Sequence, residues 1–143
     1  MYYVNREQIA ERLAAVPSVA EAIEALATGW TGSLQQGLAQ ERCLHLAIEI
    51  VTDIGSSLID GFIMRDASSY EDIIEITSEE GVYSRELQEP LLELVRLRKP
   101  LVQDYYRWPR EELHPMSEKL AGMLRQFQAD VNAYLTRELG AAR

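Results

Sequence analysis

From Ser33 to about Met64 the apolar residues Leu44, Ala47, Ile48, Val51, Ile54, Leu58 and Phe62 recur at i, i+3 and i+4 spacing. This is one face of a long α-helix. Strand side chains alternate with period two, so a sustained period of this kind cannot be laid into a sheet. Ser33 followed by Gln36 marks the start of the helix. Gly55 and Gly61 fall inside its pattern and read as places where another helix comes close, at a cost of about 1 kcal/mol each relative to Ala.

The same period fills the rest of the chain. Asn5 with Gln8 opens a helix whose apolar face includes Ile9, Leu13 and Val16. Pro17-Ser18 interrupts it, and Ser18 with Glu21 caps a second segment, Val19 to Ala27. The sequence allows either one bent helix or two. Thr28 to Gly32 is a loop by its glycines and threonines. Ser68 with Glu71 predicts a short helix through Ile76, ended by Gly81. Ser84 predicts a further helix with Leu87, Leu91, Leu94, Val95, Leu101 and Val102 inward; Pro90 is tolerable in its first turn, whereas Pro100 is interior and should kink it. Pro109 and Pro115 bracket a connection before a last helix, Ser117 to Leu139. No strand pattern competes. The expected fold is all-α, an antiparallel bundle of about five helices in one domain, 1–143.

Length and composition fit that reading. The chain has 143 residues, of which 47% are hydrophobic and 26% charged, ordinary values for a chain able to bury one core. Cys43 is the single cysteine, which excludes an intrachain disulfide and suits a reducing cytoplasm. The amino end lacks the basic start and apolar core of a signal peptide. Glu49, Asp53 and Asp60 break the longest apolar runs well short of the roughly 20 residues a membrane span needs. A soluble, cytoplasmic protein with no membrane partner is expected.

The charge is unevenly spread. Arg96, Arg98, Lys99, Arg107 and Arg110 face a single acid, Asp104, across Arg96 to Arg110, a local +4 in a chain of net charge −9, leaving −13 for the remainder. Such an acidic body repels nucleic-acid phosphate over most of its surface. A compact basic segment beside Tyr105, Tyr106 and Trp108 is nevertheless an address for a phosphate-bearing partner or an acidic protein.

Several chemistries find no support. Glu41 with His45 and Glu112 with His114 have the wrong spacing for the Glu-x-x-His pairs of a di-iron bundle. One cysteine and two histidines do not make a closed zinc site, and neither a glycine-rich phosphate loop nor a nucleophile elbow is present. No metal or cofactor is expected. His45 reads as a hydrogen-bonded boundary residue, His114 as an exposed loop residue.

The stretch Arg98 to Tyr105, within RLRKPLVQDYYRW, resembles the HepT-like branch of the HEPN superfamily, most closely its YutE-type members. That branch carries Arg-x4-His-x-Tyr late in a helix; Arg98 takes the arginine position, Val102 the valine and Tyr105 the tyrosine. The segment Ile59 to Ile76 and the final helix extend the resemblance over nearly the whole chain. The resemblance implies a homodimer in which the motif residues form a metal-independent ribonuclease site that cleaves RNA by attack of the 2′-hydroxyl. It also implies a toxin–antitoxin setting, in which an MNT-type nucleotidyltransferase modifies the tyrosine, here Tyr105, with AMP.

Gln103 stands where the family has histidine. Arginine can hold a phosphate and stabilise its developing charge, and histidine can move a proton near neutral pH. Glutamine hydrogen-bonds but does not titrate there, and loss of general acid–base help costs roughly 10²–10⁴ in rate. The candidate site is therefore Arg98, Gln103 and Tyr105 as catalytic positions, with Lys99 and Arg107 contacting RNA phosphates. Asp53 either orients Arg98 from a neighbouring helix or belongs with Glu49 to a solvated stripe. Tyr106 and Trp108 read as rings that cap the bundle. Two functions follow, a HepT-like ribonuclease or a catalytically silent dimeric binding module.

Overall fold

The computed structural model describes residues 2–141. Among the described residues six α-helices follow one another, α1 (Arg6–Leu13), α2 (Val16–Thr28), α3 (Leu34–Gly61), α4 (Tyr70–Glu79), α5 (Gln88–Arg96) and α6 (Pro115–Leu139). There is no strand among the described residues. The fold is the expected all-α bundle, with α1 and α2 standing for the broken first helix. α3 lies at its centre, packed on α1, α2, α4, α5 and α6, while α2 and α6 form the most extensive helix pair.

Local chemistry sets most helix starts. The Asn5 side chain accepts from the Gln8 N–H at 3.0 Å, and Ser33 Oγ accepts from the Gln36 N–H at 3.2 Å, each satisfying a donor that a helix start leaves orphaned. The Gln36 side chain reaches past Ser33 to the loop before it. Its Oε1 accepts from the Thr31 and Gly32 N–H groups, and its Nε2 donates to the Gly29 carbonyl, tying down the loop before α3.

Several boundaries differ from the sequence reading; Ser84, for one, provides no side-chain cap, and a 3-10 turn, Arg85–Leu87, precedes α5 at Gln88. The first break falls at Ala14-Ala15, and Pro17 sits inside the first turn of α2, so Ser18 caps nothing. A proline is harmless there because its missing N–H would have no intrahelical acceptor. Ser69 rather than Ser68 caps α4, through Oγ and the Asp72 N–H; the Ser68 N–H and hydroxyl turn instead to the Asp72 carboxylate. α6 begins at Pro115, where the Nδ1 of His114 accepts from the Met116 N–H at 3.0 Å. His114 is thus a half-buried cap stacked on Trp108, with ring centroids 5.5 Å apart, and not an exposed loop residue.

The core runs unbroken from Ile9 and Ile23 through Leu44, Ile48, Ile54 and Leu58 to Leu91, Leu94, Leu120, Phe127 and Val131. Both glycines singled out in α3 are packing positions. A Cβ on Gly55 would collide with Ile73 of α4, and one on Gly61 would meet Val4 at 3.0 Å.

Candidate functional site

Pro100 decides the shape of the basic segment. Having no N–H, it cannot continue the α-helical ladder from α5. The chain answers with a π-helical turn, Lys99–Gln103, closed by the Asp104 N–H donating to the Lys99 carbonyl at 2.9 Å. In an α-helix, residues five apart stand about 140° apart around the axis. A π-turn closes its hydrogen bonds between such residues and brings them nearly one above the other. The turn therefore alters the angular relation of Arg98 and Gln103 from that of an α-helix and leaves Gln103 exposed. A 3-10 turn, Tyr105–Arg107, follows directly.

The five basic residues have different partners. Arg96 pairs with Glu71 at 3.3 Å and with Glu89 at 3.4 Å, and these hydrogen bonds, Glu71 foremost, raise its already high pKa. Arg110 meets Glu41 of α3, Nε to Oε2, at 2.7 Å. Arg98, Lys99 and Arg107 make no ion pair with a carboxylate among the described residues. Arg98 is half-buried and lies over the ring of Tyr70, with Cζ 4.5 Å from its centroid; its Nε is buried and has no hydrogen-bond partner among the described residues. Arg107 lies over Tyr106 at 5.4 Å.

A shallow cavity of about 210 Å³ opens beside Arg98, lined by Ser69, Tyr70, Glu71, Val95, Arg96, Arg98 and Lys99. Arg98 and Lys99 thus share one recess. Gln103 and Tyr105 do not line it. Gln103 is exposed, and Tyr105 projects from the following turn at 57% exposure, edge-on to Tyr106 with centroids 5.8 Å apart.

The two rings expected to cap the bundle separate. Trp108 is buried at 8% exposure, but Tyr106 stands 65% exposed. The reason is the 3-10 turn, which carries Tyr105 and Tyr106 off the end of the bundle before the chain returns at Trp108. Asp53 lies on α3 without a hydrogen bond or ion pair to Arg98. Partial desolvation, followed by the nearby Glu49, raises its carboxyl pKa, and Arg12 of α1 works in the opposite direction.

The connection after the turn is fixed from α3. Gln40, fully buried, donates to the Glu112 carbonyl at 3.0 Å and accepts from the His114 N–H at 2.8 Å and the Ser117 hydroxyl at 2.7 Å. A Cβ on Gly37 would strike the Arg110 carbonyl, so only glycine lets this segment lie against α3. Burial, reinforced by Lys119, lowers the pKa of His114. Among the described residues no three His, Cys, Asp or Glu side chains come together as metal ligands would, and no helix is long and apolar enough to cross a membrane.

Sequence reasoning missed Tyr70, Gln40 and Glu41. The serines before Tyr70 announced a helix start, but nothing local announced that this helix would receive Arg98.

Comparison with known proteins agrees with this architecture. Residues 10–128 match the family model described as Ribonuclease HepT-like. The chain is 35% identical over 140 residues to a protein of Bacillus subtilis (strain 168) named "Putative RNase YutE", covering 98% of this chain and 96% of that one. A solved structure described as a cytosolic protein of unknown function, YutE from Bacillus subtilis, superposes with a TM-score of 0.87 at 33% identity over 100% of this chain and 99% of that one. The motif segment, the order of the helices and the match over most of the chain all lead to one assignment: the chain belongs to the HepT-like ribonuclease family.

Proposed function

We propose that this protein is a homodimeric, metal-independent endoribonuclease of the HepT type, acting as one domain in the cytoplasm, with Arg98 as the residue that holds the scissile phosphate. The observation that carries the reading is the division of labour among the basic side chains. Arg96 and Arg110 are neutralised by carboxylates, whereas Arg98, Lys99 and Arg107 keep their charge. An arginine with its N–H fork uncommitted beside a recess is suited to bidentate phosphate binding.

In the reaction, the 2′-oxygen attacks the adjacent phosphorus as the bond to the 5′-oxygen breaks. The products are a 2′,3′-cyclic phosphate and a 5′-hydroxyl, and the proton leaving the 2′-hydroxyl is balanced by the one gained at the 5′-oxygen. No co-reactant is consumed. Arg98 stabilises the charge on the phosphoryl oxygens, and Lys99 and Arg107 attract the RNA backbone. Gln103 orients the 2′-hydroxyl or a water by hydrogen bonding and leaves proton transfer to solvent, so turnover is slow. His114 does not substitute, because its Nδ1 is spent capping α6 and its ring is stacked on Trp108. Tyr105, exposed on the turn that follows, is accessible to an MNT-type nucleotidyltransferase partner, and AMP added there would add negative charge to the basic segment.

A second reading is favoured by Gln103 itself. With no titrating group in the histidine position, the same basic cluster serves a dimeric binding module without turnover.

The test is cleavage of a structured RNA in excess EDTA by wild type, Arg98→Ala and Gln103→His. The expected result is slow cleavage by wild type, none by Arg98→Ala and a gain of about 10²-fold or more for Gln103→His. Silence in all three proteins, with salt-sensitive RNA binding retained, sinks the nuclease and leaves the binding module.

A further inference from the structure

We infer that Tyr70 is a positioning residue for Arg98, holding its guanidinium over the aromatic ring so that the charge and the hydrogen-bonding fork remain available to an RNA phosphate. The inference rests on the reading of Arg98 as the phosphate-holding residue.

Two arginines separated by one residue meet consecutive residues of α4 with opposite consequences. Arg96 takes the carboxylate of Glu71, and Arg98 takes the ring of Tyr70. A carboxylate partner would fill the guanidinium fork and cancel its charge. An aromatic face attracts the cation through its quadrupole and consumes no N–H donor. The ring therefore restricts Arg98 without neutralising it, and it does so at the wall of the recess that both residues line. The buried Nε shows how far the guanidinium is tucked in at one end.

The backbone of Tyr70 has a fixed place. It is the first residue of α4, directly after the Ser69 cap. The first turn is locked by Asp72, which accepts from Arg65 Nη1 and Nη2 at 3.0 and 2.9 Å and from the Ser68 N–H at 3.0 Å. The backbone that carries the ring is thus fixed, and the arginine laid over the ring is long and flexible. Without the ring, Arg98 must lose rotamer freedom each time it engages a phosphate. The ring is 42% exposed, so truncating it removes little from the core.

The experiment is a double-mutant cycle on binding of a structured RNA, read by fluorescence anisotropy at fixed salt, with helicity and thermal midpoint recorded for each variant. Arg98→Ala, Tyr70→Phe, Tyr70→Leu and Tyr70→Leu/Arg98→Ala are compared with wild type. Tyr70→Phe should bind within about twofold of wild type and Tyr70→Leu about three- to tenfold more weakly. In the Arg98→Ala background Tyr70→Leu should have no further effect, because the ring acts only through the arginine. Equal weakening by Tyr70→Leu in both backgrounds, or failure of Phe to preserve binding, overturns the inference. So does a Tyr70→Leu protein that binds as wild type while Arg98→Ala binds poorly. If Arg98→Ala itself binds normally, the phosphate-holding role of Arg98 falls first and this inference falls with it.

Discussion

Glu41 and Arg110 form an ion pair of 2.7 Å between the middle helix and the segment that follows the aromatic turn. The Glu41 side chain is only 14% exposed and that of Arg110 33%, so water screens the pair less than a surface one. Arg110 also reaches back from Nη2 to the Tyr105 carbonyl at 3.5 Å, joining α3 to the base of the exposed tyrosines.

Removing one partner should cost more than removing both. Glu41→Gln leaves a poorly solvated guanidinium and is expected to destabilise the fold by about 1–3 kcal/mol. Glu41→Gln/Arg110→Met should recover part of that loss. Urea unfolding of the three proteins decides the matter, and an unchanged midpoint for Glu41→Gln contradicts it.

Gln40 has no exposed surface and serves three partners at once, the Glu112 carbonyl, the His114 N–H and the Ser117 hydroxyl. Gln40→Ala strands those groups and is expected to cost about 2–5 kcal/mol. The same change should loosen the 109–115 connection ahead of the core, visible as faster amide exchange at His114.

Asp72 gives the bundle an acid-sensitive element. Its pKa is lowered to about 2, first by hydrogen bonds from Arg65 and then by the Ser68 N–H. Unfolded, the carboxyl returns to its ordinary value near 3.8. As pH falls from about 4 to about 2, the unfolded chain takes up this proton before the folded one does, and stability drops. Above that window the contribution is fully present. Asp72→Asn should lack this part of the dependence, so the gap in thermal midpoint between wild type and variant should narrow on acidification.

The unpaired cations predict a salt signature. Lys99→Ala and Arg107→Ala should each weaken RNA binding with little regard to sequence and lower the slope of log affinity against log salt by about one. Arg110→Met should leave that slope unchanged, because its charge is already met by Glu41. Equal slopes for all three variants would dissolve the distinction between paired and unpaired basic residues.

Much of this was legible before folding was considered. The caps at Asn5 and Ser33 and the long apolar face of α3 depend on residues within one or two helical turns. So does the trouble at Pro100, although its resolution as a π-turn rather than a simple kink was not readable. Pro17 misled because the same residue breaks a helix from inside and begins one comfortably at its first turn. His114 misled because a proline-flanked loop gives no sign that its imidazole will find both a tryptophan face and a helix end.

The amino-acid sequence by itself determined an all-α chain, its helix starts to within a few residues, the reversal of charge from Arg96 to Arg110 and the glutamine in the motif. These follow from short-range periodicity and residue chemistry. Only the tertiary structure decided which arginines are neutralised and which stay free. Glu71 and Tyr70 lie more than twenty positions before the arginines they meet, and Glu41 almost seventy before Arg110. Partners that far apart are chosen by how whole helices pack, and no local pattern records that choice.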